Sequence, residues 1–220
     1  MWSLFALLAL VGTNTVRAQS PAAIVEEVTG QQATVRFMDY VTSGTVIRLG
    51  NSDTLTLGYM RSCWRESIRG GVVTIGVERS KVVGGKVNRQ KVECDGGRMR
   101  LSTAQASQSG VMVFRGGLVT GSPVALPAAQ LTLYGLSPLV EMSGGGKLVI
   151  ERLDAPGERQ EVEIDAAPLT PGYYDFATEG RELSAGGLYR ASAQSGELVF
   201  KVDALAKPGK SPIIGRLLKL

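Results

Sequence analysis

The 220-residue chain has no histidine, which removes both the commonest general base and the commonest metal ligand. Cysteine occurs only at Cys63 and Cys94. No close CxxC pair exists, therefore, and a nucleophilic thiol would have no histidine to activate it. Aromatic residues are scarce, at 6%. No block of five like charges occurs, and signs are mixed, as in Val162-Glu163-Ile164-Asp165 beside Arg152 and Arg159. The net charge of +4 reads as a mixed surface and not as a nucleic-acid footprint, which needs a clustered basic stripe. No apolar run reaches the roughly 20 residues that span a bilayer.

Catalytic patterns are missing too. Gly144-Gly145-Gly146-Lys147 lacks the spacing of a phosphate loop and precedes a strand, so it reads as a hairpin turn. Gly116-Gly117-Leu118-Val119-Thr120-Gly121 fails the dinucleotide pattern for the same reason. No Ser-x-x-Lys follows the N-terminal segment, Asp-x-Asp loops are absent, and Glu26-Glu27 and Glu161/Glu163 are spaced like exposed strand residues. The expectation is a chain that is not an enzyme and holds no cofactor or metal.

What is present is glycine, 28 residues spread without period, which implies many tight turns and short strands. Trp2 to Val11 is apolar and is followed by Val16-Arg17-Ala18, a small-x-small pattern before Gln19. Residues 1–18 therefore read as a signal peptide, and the periplasm as the destination. In that oxidising compartment the two cysteines read as one bridge, Cys63–Cys94, worth roughly 3–4 kcal/mol by loop closure.

Alternating apolar segments fill residues 19–102. Ala22–Val28, Gln32–Phe37 (with Ala33, Val35 and Phe37 on one face), Thr45–Leu49, Asp53–Tyr59, Val72–Val77 and Lys86–Cys94 read as strands. Gly50-Asn51 closes one of them and Gly70-Gly71 reads as a hairpin. Such a strand rhythm indicates a small barrel or sandwich. The order Leu49-Gly50-Asn51-Ser52-Asp53, Leu55-Thr56-Leu57, then Gly71-Val72-Val73-Thr74-Ile75-Gly76 resembles the FecR-type periplasmic domain of Gram-negative bacteria. The resemblance covers roughly residues 22–102. It implies an envelope recognition or scaffolding module, without the membrane span through which founding members of the family signal.

Residues 103–125 read as a linker, and strand rhythm resumes over 126–206: Leu131–Tyr134, Leu139–Met142, Lys147–Leu153 and Gln160–Ile164. Leu169-Thr170-Pro171-Gly172-Tyr173-Tyr174 and Leu183-Ser184-Ala185-Gly186-Gly187-Leu188-Tyr189 repeat a Leu, turn, Gly, Tyr phrase. This resembles the late strands of bacterial immunoglobulin-like sandwiches, and implies core or corner roles for Tyr173 and Tyr189. The tail, 207–220, reads as a frayed end, with a closing strand or docking segment as alternatives.

The expected fold is thus all-β: a small FecR-like barrel or sandwich, then an immunoglobulin-like sandwich. The expected function is non-catalytic recognition or scaffolding of an envelope protein partner. Arg61, Trp64, Arg65 and Arg69, close to the staple, are the candidate interface, since Trp and Arg are enriched at binding hot spots. Two rival readings are a peptidoglycan or other glycan binder using Tyr173, Tyr174 and Tyr189, and a cryptic hydrolase with convergent Ser, Lys and Asp groups.

Overall fold

Paired glycines and one buried aspartate decide the shape of the first sheet. The computed structural model describes residues 20–96, 126–142, 144–164 and 172–220. The signal-peptide reading of 1–18, the linker and the Leu169-Thr170-Pro171 turn all lie outside them. Among the described residues the regular structure is all strand but for one 3₁₀ turn, as the alternation demands.

The first sheet holds β1 (Pro21–Thr29), β2 (Tyr40–Thr42), β3 (Val46–Tyr59), β4 (Trp64–Thr74), β5 (Lys81–Val83) and β6 (Lys86–Lys91). All its pairings are antiparallel, in the order β2-β1-β3-β4, with both β5 and β6 paired to β4. Leu55, Leu57 and Tyr59 point inward and are fully buried, as their alternation requires. A straight 14-residue β3 would extend about 46 Å. Instead Ile47 and Leu49 from its first half share one core with Leu55, Leu57 and Tyr59 from its second. The strand must therefore bend.

The bend corrects two sequence expectations. Gly50-Asn51 does not end a strand: it opens a bulge inside β3, where register shifts between Leu49↔Gly71 and Thr54↔Arg69. Buried Asp53 fixes that bulge by accepting the backbone N–H groups of Gly50 (3.0 Å) and Gln32 (3.2 Å). Gly70-Gly71 is not a hairpin either. It lies inside β4, at φ +65° and +85°, facing Gly84-Gly85 at the joint between β5 and β6. A Cβ on Gly85 would sit 2.0 Å from the Gly70 carbonyl oxygen, so only glycine lets the two backbones pass. The chain turns a corner there, and the β4–β5 reversal falls at Ile75–Ser80.

Gln32–Phe37 forms no strand. Ala33 and Val35 pack on the core as their alternation suggests, but Phe37 is 44% exposed. Asp39 accepts the Arg36 backbone N–H at 2.7 Å, and Met38 adopts φ +69°. This local turn competes successfully with strand pairing, and β2 takes the place beside β1.

The remaining strands are β7 (Leu131–Gly135), β8 (Leu139–Glu141), β9 (Gly146–Arg152), β10 (Arg159–Ile164), β11 (Tyr173–Asp175), β12 (Leu188–Ala193), β13 (Gly196–Lys207) and β14 (Leu217–Lys219). They build a five-stranded sheet, β10-β9-β12-β13-β7, and a three-stranded one, β11-β8-β14. Leu148, Ile150, Tyr189 and Phe200 of the larger sheet meet Val140 and Leu218 of the smaller in one core, a two-layer sandwich.

The tail differs from its expected frayed state. A 3₁₀ turn, Ile213–Gly215, leads into β14, which pairs in parallel with β8. Ile213, Ile214, Leu217 and Leu218 are buried, and their apolar burial is what holds a segment rich in Pro and Gly in place.

Candidate binding cleft at the junction of the sheets

A third core cluster joins the two halves. Ile24, Met38 and Met60 of the first part pack with Leu139, Ile213, Ile214 and Leu217 of the second. At its edge, buried Glu26 accepts the Ile214 backbone N–H (3.2 Å) and the Arg65 Nε–H (2.7 Å). Gly58 leaves room for this, since a Cβ there would lie 2.6 Å from both Glu26 Oε1 and Ile214 Cγ2. The carboxylate is therefore matched by a guanidinium and a backbone donor, the condition under which a buried charge is tolerated.

Arg216 anchors the tail within the second half. It is 2% exposed and donates through Nε to the Lys210 carbonyl, through Nη1 to the Ser137 carbonyl, and through Nη1 and Nη2 to both oxygens of Asp175. Burial alone would raise the Asp175 carboxyl, but the Arg216 guanidinium, together with the Ala177 N–H and the Thr178 hydroxyl, holds the group below the usual carboxylate range. A third polar cluster links β2 to the small sheet. Tyr40 donates to Glu141 Oε2 at 2.6 Å, and Lys219 lies 3.8 Å over the Tyr40 ring. Burial, then the neighbouring Glu141, raises both Tyr40 and Tyr173, the latter to about 12.

Beside this junction opens a cleft of about 690 Å³. One side is the end of β6 and the stretch after it, Gln90–Glu93; the other is Tyr134, Asp203, Leu205 and Lys207, and Pro208, Gly209, Ser211, Pro212, Gly215 and Arg216 complete the lining. Pockets at such junctions are common ligand sites. The lining mixes apolar surface (Val92, Leu205, Pro208, Pro212) with Lys91, Lys207, Glu93 and Asp203. Leu205 is 84% exposed, the most exposed large apolar side chain among the described residues. This suits complementary contact with an extended chain.

The sequence candidates scatter. Cys63 and Cys94 are bonded, with Cα atoms 5.7 Å apart, and the bridge ties the start of β4 to the cleft wall. Trp64 faces inward, half-buried against the first core, with Lys91 Nζ 5.3 Å from its ring centroid. Arg65, on the opposite face, is committed to Glu26. Arg69 is exposed further along that face, and Arg61 is exposed before the staple. The four do not form one patch.

Of the tyrosines, Tyr189 is fully buried, stacked on Phe200 and bonded through its hydroxyl to Glu158 (2.8 Å) and to the Ser184 carbonyl (2.9 Å). That is the corner geometry its spacing implied. Tyr174 meets Phe176 edge-on and packs against the sandwich core, and Tyr173 packs into the junction.

One polar network escaped sequence reading. Fully buried Glu66 accepts the Ser80 N–H (3.0 Å) and Arg89 Nε–H (2.6 Å), and Ser80 Oγ shares a hydrogen bond with Tyr59 (2.8 Å). Burial pushes Tyr59 up to about 12. Every member is paired, so the group locks the β4–β5 reversal. Glu66 alternates with Trp64 and Ile68 on the inner face of β4, the one signal that could have found it. Among the described residues no cluster of three or more His, Cys, Asp or Glu could hold a metal ion, and no helix is long and apolar enough to cross a membrane. No protein-family profile, curated protein or solved structure matches the chain.

Proposed function

We propose that this chain is an exported, non-catalytic recognition protein of the bacterial envelope, with a FecR-like first module and an immunoglobulin-like second, that binds a protein partner. The observation that carries the reading is the cleft between β6 and the β13–tail wall, built jointly by both halves and lined by apolar and charged groups without a dominant sign. The two polar links across the junction, Glu26 to Ile214 and Tyr40 to Glu141, favour a rigid receptor that meets its partner with little reorganisation. The rival glycan reading loses ground because Tyr189 is spent in the core and Tyr173 and Tyr174 are packed. The test is photo-crosslinking in cells from position 205, with the exported protein read out by mass spectrometry. One dominant envelope protein, together with cleavage before Gln19, is the expected result. Capture of cell-wall fragments alone would move the function to glycan binding, and an uncleaved chain retained inside the cell would overturn the envelope assignment.

A further inference from the structure

The outer face of the first sheet is cationic in a way that no stretch of sequence displays. Cross-strand partners share a face, so the registers assemble it directly: Val46, Thr74 and Lys81 form one rung, Arg48, Val72 and Val83 the next, and Thr54, Arg69 and Lys86 a third beyond the glycine corner. Arg48, Arg69, Lys81 and Lys86 are exposed, and no carboxylate stands on any of these rungs. Arg69 and Lys86 oppose each other directly, an arrangement that repels.

The sandwich handles its charged outer face differently. There Arg159 pairs with Glu151 and Glu161, Lys147 with Glu161, and Arg190 with Glu151 and Glu197. The sandwich face is neutralised across its strands, whereas these three rungs of the first sheet carry no countercharge, and exposed Glu27 stands on the adjoining rung with Thr56, Ser67 and Asn88.

The rung through Arg69 and Lys86 ends at an open edge, β6, while the other two end at β5. β6 pairs only with β4 among the described strands, and all of its residues but Val87 are exposed. Its far end, Gln90 and Lys91, runs into the cleft that Leu205 also lines. Edge lysines can simply discourage pairing, but that role does not require a second cation directly opposite. We infer that the β6 edge binds an extended acidic segment of a partner protein, which adds as a strand beside Lys86–Lys91 and leads an apolar residue onto Leu205. Backbone hydrogen bonds supply the grip, a carboxylate on the outer side of the added strand sits beside Lys86 and the Arg69 opposite it, and the cleft supplies selectivity. The inference rests on the protein-recognition reading and places its contact.

The probe is an eight-residue peptide alternating Glu and Val with one terminal Leu, added to the full oxidised chain. Amide hydrogen exchange should slow in residues 86–91, and binding should weaken with salt. The Lys86→Glu variant should bind about tenfold more weakly, and a Lys-for-Glu peptide should not bind. Lack of protection at β6, or binding indifferent to salt and to K86E, overturns the inference. So does protection by an anionic polysaccharide but not by the peptide, which would make the face a polymer-binding surface. Crosslinking from position 205 in cells separates the two levels. A partner captured equally by wild type and K86E leaves recognition standing and removes the edge, whereas capture reduced in K86E supports both.

Discussion

Replacing Ile214 by alanine tests whether the end of the chain is structural. Ile214 is 1% exposed and sits in the cluster that joins the two halves, against Ile24 and over Gly58. Its backbone N–H, bonded to Glu26, survives the change, so the variant isolates packing from hydrogen bonding. Truncating a buried isoleucine to alanine costs about 2–5 kcal/mol through lost transfer energy and the cavity left behind. The upper half of that range is expected here, because the neighbours that could collapse into the space are held by Glu26–Arg65 on one side and Arg216–Asp175 on the other.

Urea denaturation followed by Trp64 fluorescence is the appropriate assay. Trp64 belongs to the first sheet and Ile214 to the last turn of the chain, so a shift in the tryptophan transition reports coupling between them. A frayed end would move stability by less than about 0.5 kcal/mol. Leu205→Ala, at an 84% exposed position, is the matched control and should stay within that limit. An I214A transition superimposed on wild type would refute the shared core.

Asp175→Asn leaves buried Arg216 without its countercharge and should cost about 3–5 kcal/mol at neutral pH, measured by denaturation. Because Asp175 is held below its ordinary value, the native state binds fewer protons there than the unfolded state. Its contribution is full above about pH 4 and is lost as pH falls through the lower native value, so D175N should flatten the acid limb; acid unfolding identical to wild type would contradict this. In alkali the sign reverses. Burial raises Tyr59 and Tyr173 from 10.0 to about 12, so their contribution is present below pH 10.0 and lost as pH rises through that window. Phenolate absorbance at about pH 11 should therefore stay well short of full ionisation while the fold persists, and complete ionisation with native circular dichroism would be inconsistent with these buried hydroxyls. Gly85→Ala, which drives a Cβ to 2.0 Å from the Gly70 carbonyl oxygen, should cost clearly more than Gly84→Ala. The latter meets nothing within 4 Å and strains only φ +71°, worth about 1–2 kcal/mol; equal losses in thermal unfolding would dissolve the corner.

The sequence revealed what depends on neighbours along the chain. Period-2 alternation placed Leu55, Leu57 and Tyr59 inward, and the spacing from Leu183 to Tyr189 announced a tyrosine bonded back to its own turn. It misled where long-range pairing decides between two local options. Gly70-Gly71 satisfies a hairpin as well as a corner, and only the opposing Gly84-Gly85 selects the corner. Gln32–Phe37 alternates correctly, yet the Asp39 turn removes it from the sheet. The interface candidates Arg61, Trp64, Arg65 and Arg69 are grouped by their closeness to the staple, and alternation along β4 turns Trp64 inward and Arg65 and Arg69 to the other face. The cationic rungs were hidden for the converse reason: Arg48, Arg69, Lys81 and Lys86 come from four different strands.

The tail makes cleft and core a single problem. Pro212, Gly215 and Arg216 line the cleft, while Ile213 and Ile214 between them fill the junction. Gly215 can only approach so closely because a Cβ would meet the Glu93 carbonyl oxygen at 2.8 Å, and Glu93 belongs to the opposite cleft wall. One turn thus sets the width of the opening and the packing beneath it. A ligand that binds the formed cleft must stabilise the junction by mass action, and I214A must weaken that ligand even though residue 214 does not line the cleft. K86E, remote from the junction, should weaken the acidic peptide without shifting the Trp64 transition. The two variants therefore separate damage to the frame from damage to the contact.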